Sequence, residues 1–228
     1  MSLLDAVVQT GPLLPGLSQA GKKRYSEVLS KNLAYEVAAG LRAVGFSSIK
    51  PVEGGPGEEA FQGGLGPKKV DVAYSDERHG LLLAVSIKSI NAAPYGKNLK
   101  NRFADLCTEA ITLHLRFPYS VVCALFAFPA GADEDLTEGR EKSTFSRAND
   151  LFATITGRKQ YTDPGEKFED VTTMLFQPFD PNGTQPWVRL YNCQTRKEMS
   201  ENDYYAMIRD IYNARNPHLI VGDENSED

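Results

Sequence analysis

Pro67-Lys68-Lys69-Val70-Asp71-Val72-Ala73-Tyr74 is followed by the turn Asp76-Glu77-Arg78-His79-Gly80, then by Leu81-Leu82-Leu83-Ala84-Val85-Ser86-Ile87-Lys88-Ser89-Ile90, then by a helical segment over 98–116. The first piece predicts a strand, because the β-branched Val70 and Val72 alternate with Asp71 and Ala73. Gly80 closes the turn. The second piece is almost wholly apolar up to Val85, as a strand covered on both faces is. Ser86 and Lys88 lie two residues apart and so share one face of that strand. A Lys at the end of a buried strand is costly unless it is paired, and Asp71 on the neighbouring strand is the natural partner.

This arrangement resembles the PD-(D/E)XK nuclease superfamily, in which a hairpin carries an Asp and then an acid and a Lys separated by one residue. Asp71 matches the Asp, with Val70 where the name has Pro, and Lys88 matches the Lys. Ser86 stands where the middle acid is expected. Some restriction endonucleases of the superfamily have such a Ser-Xaa-Lys strand, with the acid moved to the following helix. Glu109, in Asn98-Leu99-Lys100-Asn101-Arg102-Phe103-Ala104-Asp105-Leu106-Cys107-Thr108-Glu109-Ala110, is the candidate for that acid. The resemblance covers roughly the first 130 residues. It implies an α/β fold with a restriction-endonuclease-like core, a mixed β-sheet flanked by helices, here followed by a C-terminal α/β extension.

The same resemblance implies a metal-dependent endonuclease, most nearly a type II-like restriction endonuclease, that hydrolyses phosphodiester bonds of double-stranded DNA. Asp71, Ser86, Lys88 and Glu109 form its catalytic set. Mg²⁺, with Mn²⁺ as a substitute, is held by Asp71 and Glu109 and by the main-chain carbonyl of Ile87; oxygen ligands suit such a hard cation. Lys88 positions the attacking water and offsets charge in the transition state. Ser86 hydrogen-bonds a water or Glu109. Glu36 is an outer acid by analogy with a first-helix Glu of the superfamily, although a helix-surface acid facing Arg42 or Lys31 explains it as well. A homodimer and a cognate DNA methyltransferase are the implied partners. Two other readings stand beside this one: a catalytically inactive nuclease fold that binds DNA or a protein, and an unrelated α/β protein in which Asp71 and Lys88 form a structural salt bridge.

With 228 residues the chain fits one domain, with a core over about 22–130, an extension over about 144–218 and an acidic tail over 219–228. No apolar run is long enough for a membrane helix, and the amino end reads without a secretory signal. Cys107, Cys123 and Cys193 are scattered, which argues against a disulfide framework or zinc site and fits a cytoplasmic protein. Net charge is −5, but residues 223–228 carry four acids, whereas residues 21–50 hold six basic residues against Glu27 and Glu36. That basic segment is either a solvated face or a surface turned to DNA.

Gly11-Pro12 and Pro15-Gly16 make residues 1–21 a loose lead-in. Tyr25, Val28, Leu29, Leu33, Val37, Leu41 and Val44 form the stripe of a helix over 25–44, ended by Gly45. Residues 51–67 are rich in Gly, Pro and Glu and read as a loop or a poor edge strand. On the helix over 98–116, Leu99, Phe103, Leu106, Ala110 and Leu113 form the buried stripe. Asp105 and Glu109 lie beside it, and Asp105 has a local partner in Arg102. A strand over 120–128 follows, then an acidic, flexible stretch over 131–143 and a helix over 144–157. Strands over 171–179 and 186–195 form a hairpin, on which Trp187, Arg189 and Tyr191 alternate as either a nucleic-acid surface or packing. Ser200 caps a last helix. His79, His114 and His218 lack paired spacing, and His114 is expected to be hydrogen-bonded or exposed.

Overall fold

The structure, a computed structural model, describes residues 2–55, 57–136, 140–181 and 183–222. Its elements are α1 Leu3–Thr10, α2 Gln19–Ala43, β1 Glu59–Gly63, β2 Gly66–Val70, β3 Val72–Asp76, β4 Gly80–Ser89, α3 Leu99–Arg116 and β5 Val121–Pro129. Then come α4 Gly131–Glu134, α5 Thr144–Phe152, β6 Asp170–Gln177, β7 Trp187–Asn192, β8 Glu198–Met199 and α6 Glu201–Arg215. The protein is α/β, with a mixed sheet flanked by helices. Six strands pair in the order β3-β4-β5-β6-β7-β8, and β1-β2 form a separate ribbon. β4, β5 and β6 are parallel, while β3, β7 and β8 run antiparallel to their neighbours.

Alternation along the central strands divides the core. Val85, Ile87, Cys123 and Leu125 face α1, α2 and α6, whereas Ala84, Val122, Ala124 and Phe126 face α3 and α5. β4 and β5 are apolar on both faces because both are covered, as their sequence predicts. The strands expected over 171–179 and 186–195 are the antiparallel pair β6–β7, and β6 joins β5, so the C-terminal region continues the same sheet. Asn182 of the connecting turn lies outside the described residues. Ser200 caps α6 reciprocally with Asp203. α2 and α6 meet at Gly40, where a Cβ would stand 2.2 Å from the Tyr205 ring.

Several expectations need correction. The lead-in contains α1: Ser2 caps it, and Leu3, Ala6 and Val7 are fully buried. Three apolar positions at helical spacing suffice, since burying a Leu or Val side chain yields about 1.5–3 kcal/mol. The segment over 51–67 contains β1 and the start of β2; Phe61 packs edge-on to Phe117 and the Gly64 N–H donates to the Thr112 carbonyl at 2.8 Å. The strand expected over 67–74 is broken at Asp71, where the chain leaves the ribbon for the sheet. Of the stretch over 131–143, residues 137–139 lie outside the described residues; on either side of them α4 forms, Ser143 donates to Asp133 and Thr144 to Asp135, both at 2.8 Å. The helix after it ends at Phe152. Residues 219–222 are anchored: Val221 is buried, and Asn213 bonds both its N–H and its carbonyl. The acidic run 223–228 lies outside the described residues. On the Trp187-Arg189-Tyr191 face of β7, Tyr191 packs edge-on to Phe145, whereas Arg189 is exposed with its guanidinium over the half-buried Trp187 ring, so the face is packed at one end and open at the other.

Toward the amino ends of β5 and β6 lies a buried ionic cluster. Glu169 accepts from Arg158 Nη1 at 2.7 Å and from the Val122 N–H at 2.8 Å, and its carboxylate is 3.1 Å from Arg215 Nη1 and 3.4 Å from His114 Nε2. His114 is thus buried and also bonded through Nδ1 to the Gly165 carbonyl. Next to Glu169, Asp170 accepts from Thr172 and Asn192. Burial pushes the Asp170 carboxyl from 3.8 up to about 6. The folded state therefore holds this proton more tightly than the unfolded chain does. The stability this group contributes is full below its ordinary value and is lost as pH rises through about 6. Two units correspond to a loss of about 3 kcal/mol. Urea unfolding at pH 4 and pH 7 should accordingly show Asp170→Asn gaining on the parent protein at the higher pH. An identical pH response in the two proteins would contradict this origin.

Candidate active site

The site forms where the antiparallel ladder of the sheet stops. β3 begins at Val72, paired with Val85, so on its β3 side Ile87 has no ladder partner, while β5 pairs with it on the other. Asp71, at the break between ribbon and sheet, fills that gap: its Oδ2 accepts the Ile87 N–H at 2.7 Å. In an extended strand the N–H and carbonyl of one residue point to the same side, so the Ile87 carbonyl faces the same opening. Lys88 Nζ is 3.5 Å from Asp71 Oδ2, which gives the pair expected from the sequence.

On the face of β4 turned to α3, Ser86 follows Ala84 and is fully buried. Its hydroxyl donates to Glu109 Oε1. Leu106, Ala110 and Leu113 anchor α3 to the sheet, and Glu109 sits beside them on the inward side. Glu109 Oε2 is 3.3 Å from Lys88 Nζ and 2.7 Å from Lys68 Nζ. Asp71, Ser86, Lys88 and Glu109 are therefore brought together, with the Glu109 carboxylate lying against Ser86. Asp105 is exposed and pairs with Arg102 at 3.3 Å.

Electrostatics favour the charged forms of Lys88 and Glu109. Burial pulls the Lys88 ammonium down, but Glu109 and Asp71 outweigh it and hold it above the usual lysine range. Burial pushes Glu109 up, yet Lys88, Lys68 and the Ser86 hydroxyl together hold it below the usual carboxylate range. Asp71 is raised, chiefly by burial and further by the charge of Glu109, against the pull of Lys88 and of the Ile87 N–H.

Asp71 and Lys88 open onto a groove of about 920 Å³ between the first half of α2 and the segment from Ser89 to Arg102. Its walls carry Lys22, Lys23, Lys31, Lys97 and Arg102 besides Lys88, against the acids Glu27, Glu58 and Asp71. The basic segment over 21–50 thus turns three lysines to the groove. Arg42 instead bonds the carbonyls of Ile49 and Pro51, and Lys50 pairs with Glu59. Glu109 is not on the groove wall; it lies behind the two lysines, with no exposed side-chain surface.

Glu36 is not brought to this centre. It is buried, one of its carboxylate oxygens has no hydrogen bond among the described residues, and its acidic neighbours are Asp5, Glu201 and Glu53. Glu27, on the groove, is nine residues earlier, and at about 100° per residue the two point to opposite sides of α2. Glu27 pairs with Lys23 at 3.7 Å. Two participants escaped the sequence reading. Lys68 shares a face of β2 with the buried Val70, and that alternation was the available signal. Asn91 donates to Ser26 on α2 and to Ser89, joining the groove wall to the end of β4, with no sequence pattern to announce it.

No third Asp, Glu, His or Cys joins the two acids in a metal-binding group among the described residues. Mg²⁺ is commonly bound through one or two carboxylates plus substrate phosphate and water, so Asp71, Glu109 and the Ile87 carbonyl are a suitable set of oxygen donors. No helix of the described residues is long and apolar enough to cross a membrane. Comparison of the chain with family models, with curated proteins and with solved structures gave no match.

Proposed function

We propose that the protein is a metal-dependent endonuclease of the restriction-endonuclease-like kind, hydrolysing phosphodiester bonds of double-stranded DNA. The observation that carries this reading is the seating of Glu109 on the Ser86 hydroxyl, next to Lys88 and across from Asp71. On this reading an acid from α3 serves in place of a strand acid.

Asp71, Glu109 and the Ile87 carbonyl would hold Mg²⁺ or Mn²⁺. When bound, the ion supplies Lewis-acid polarisation of the phosphate and lowers the pKa of a water. Lys88, charged and fixed between two carboxylates, orients the attacking water and offsets charge developing on the phosphate. Ser86 fixes the rotamer of Glu109. The lysines of the groove bind backbone phosphates, which sets affinity and register without reading sequence. The same reading carries a homodimer, suited to a two-fold symmetric site, and a methyltransferase that protects the host's own DNA.

A second reading, a nuclease fold that binds DNA or a protein without cleaving it, draws on the cover that Lys68 and Lys88 place over Glu109. Incubation of the protein with unmodified plasmid and genomic DNA separates the two. The nuclease gives discrete fragments with Mg²⁺ or Mn²⁺ and none with chelator. Retarded but intact DNA under all conditions would exclude the nuclease and leave the binding module.

A further inference from the structure

Glu109 is the most enclosed charge of the centre. Among the described residues its Oε2 is faced by the two amines, Lys68 at 2.7 Å and Lys88 at 3.3 Å. An ionised carboxylate cut off from water is strongly destabilising unless counter-charge is close. Lys88 is shared with Asp71, whereas the ion pair to Glu109 is the one Lys68 makes among the described residues. Lys68 also comes from the ribbon rather than from the six-stranded sheet. Its side chain is 31% exposed, so its amine has a path to water along a flexible stem, while Lys88 is held from two sides.

We infer that Lys68 is a resident counter-ion: in the metal-free protein its ammonium occupies the place beside Glu109 that a divalent cation takes on loading, so that metal entry and Lys68 departure are one exchange. Two carboxylates and two ammoniums balance. A divalent ion added to that set would face two positive charges at contact distance, and like charges so close repel strongly away from bulk water. Release of Lys68 removes one of them and uncovers Glu109 at once. Lys68 is thus a positioning residue that sets the metal affinity of the centre. This assignment rests on the metal-dependent reading above.

The test is calorimetric titration of Mn²⁺ into the full chain. Lys68→Met keeps the stem and removes the charge. It should lower the melting temperature of the metal-free protein and tighten Mn²⁺ binding by about tenfold or more, because the competing cation is gone. Lys68→Arg, whose charge is permanent and whose fork grips a carboxylate with two N–H groups, should weaken binding. A purely structural Lys68 would lower the melting temperature without tightening the metal. Unchanged or weaker Mn²⁺ binding in Lys68→Met overturns the assignment and leaves the metal site standing. If that variant does not fold, parental affinity in Lys68→Arg overturns it equally. Absence of Mn²⁺ binding in every protein overturns both readings. Tighter binding in Lys68→Met without DNA cleavage by the parent keeps the counter-ion and removes the nuclease.

Discussion

Exchange of Glu109 for Gln is expected to abolish metal-dependent DNA cleavage. Among the described residues Lys88 joins two acids, Asp71 and Glu109, and Gln in place of Glu109 keeps the shape and the Ser86 hydrogen bond while removing the charge that a divalent cation needs. Losing several kcal/mol of transition-state stabilisation corresponds to a rate lower by about three orders of magnitude or more. Lys88→Met should be as severe, because Lys88 is the only cation in contact with both Asp71 and Glu109 among the described residues. Asp105→Asn, on the same helix but exposed and paired with Arg102, should cleave nearly as the parent does. Ser86→Glu combined with Glu109→Ala returns an acid to the strand and should recover part of the rate. Cleavage is read on plasmid DNA, with melting curves to show that each variant is folded. Full activity in Glu109→Gln would remove Glu109 from the mechanism.

The largest expected loss of stability lies at the other end of the sheet. Glu169→Ala removes the carboxylate that balances Arg158 and Arg215 and accepts the Val122 N–H. The Arg158 side chain is 1% exposed, so its guanidinium cannot turn to water. Deleting one partner of a buried pair typically costs about 3–5 kcal/mol. The exposed Arg102–Asp105 pair sets the contrast, since such surface pairs are worth about 0–1 kcal/mol. Urea unfolding of Glu169→Ala and Asp105→Ala, side by side, measures the difference. A loss below about 1 kcal/mol for Glu169→Ala would show that the cluster is no more than a tolerated arrangement.

What could be read in the sequence followed the range of the interactions involved. β4, α3, β5 and the β6–β7 pair announce themselves by runs and stripes of apolar residues, because burial acts on each element as a whole. Ser86, Lys88 and Asp71 were legible for the same reason: a polar face on an otherwise buried strand stands out. Placing Glu109 needed an added pattern, since spacing alone leaves Asp105 and Glu109 on one stripe. α1 and the β1–β2 ribbon were hidden by the glycines and prolines around them, which mark turns without saying what lies between. Lys68 meets Glu109 across 41 residues, and Arg158, Glu169 and Arg215 meet through the folded sheet. No local periodicity encodes such contacts. Glu36 was misplaced because an acid beside an apolar stripe can turn to either flank, and here Glu27 faces the groove.

The break at Asp71 divides the charged centre between two units of unequal persistence. A two-stranded ribbon is marginal by itself in water and opens more readily than the interior of a six-stranded sheet. Such an opening would carry Lys68 away from Glu109 and leave Asp71, Ile87 and Lys88 on the sheet side of the break. Faster amide exchange in the ribbon than in β4 and β5 would be the record of such openings, each lifting one of the two amines from the innermost acid.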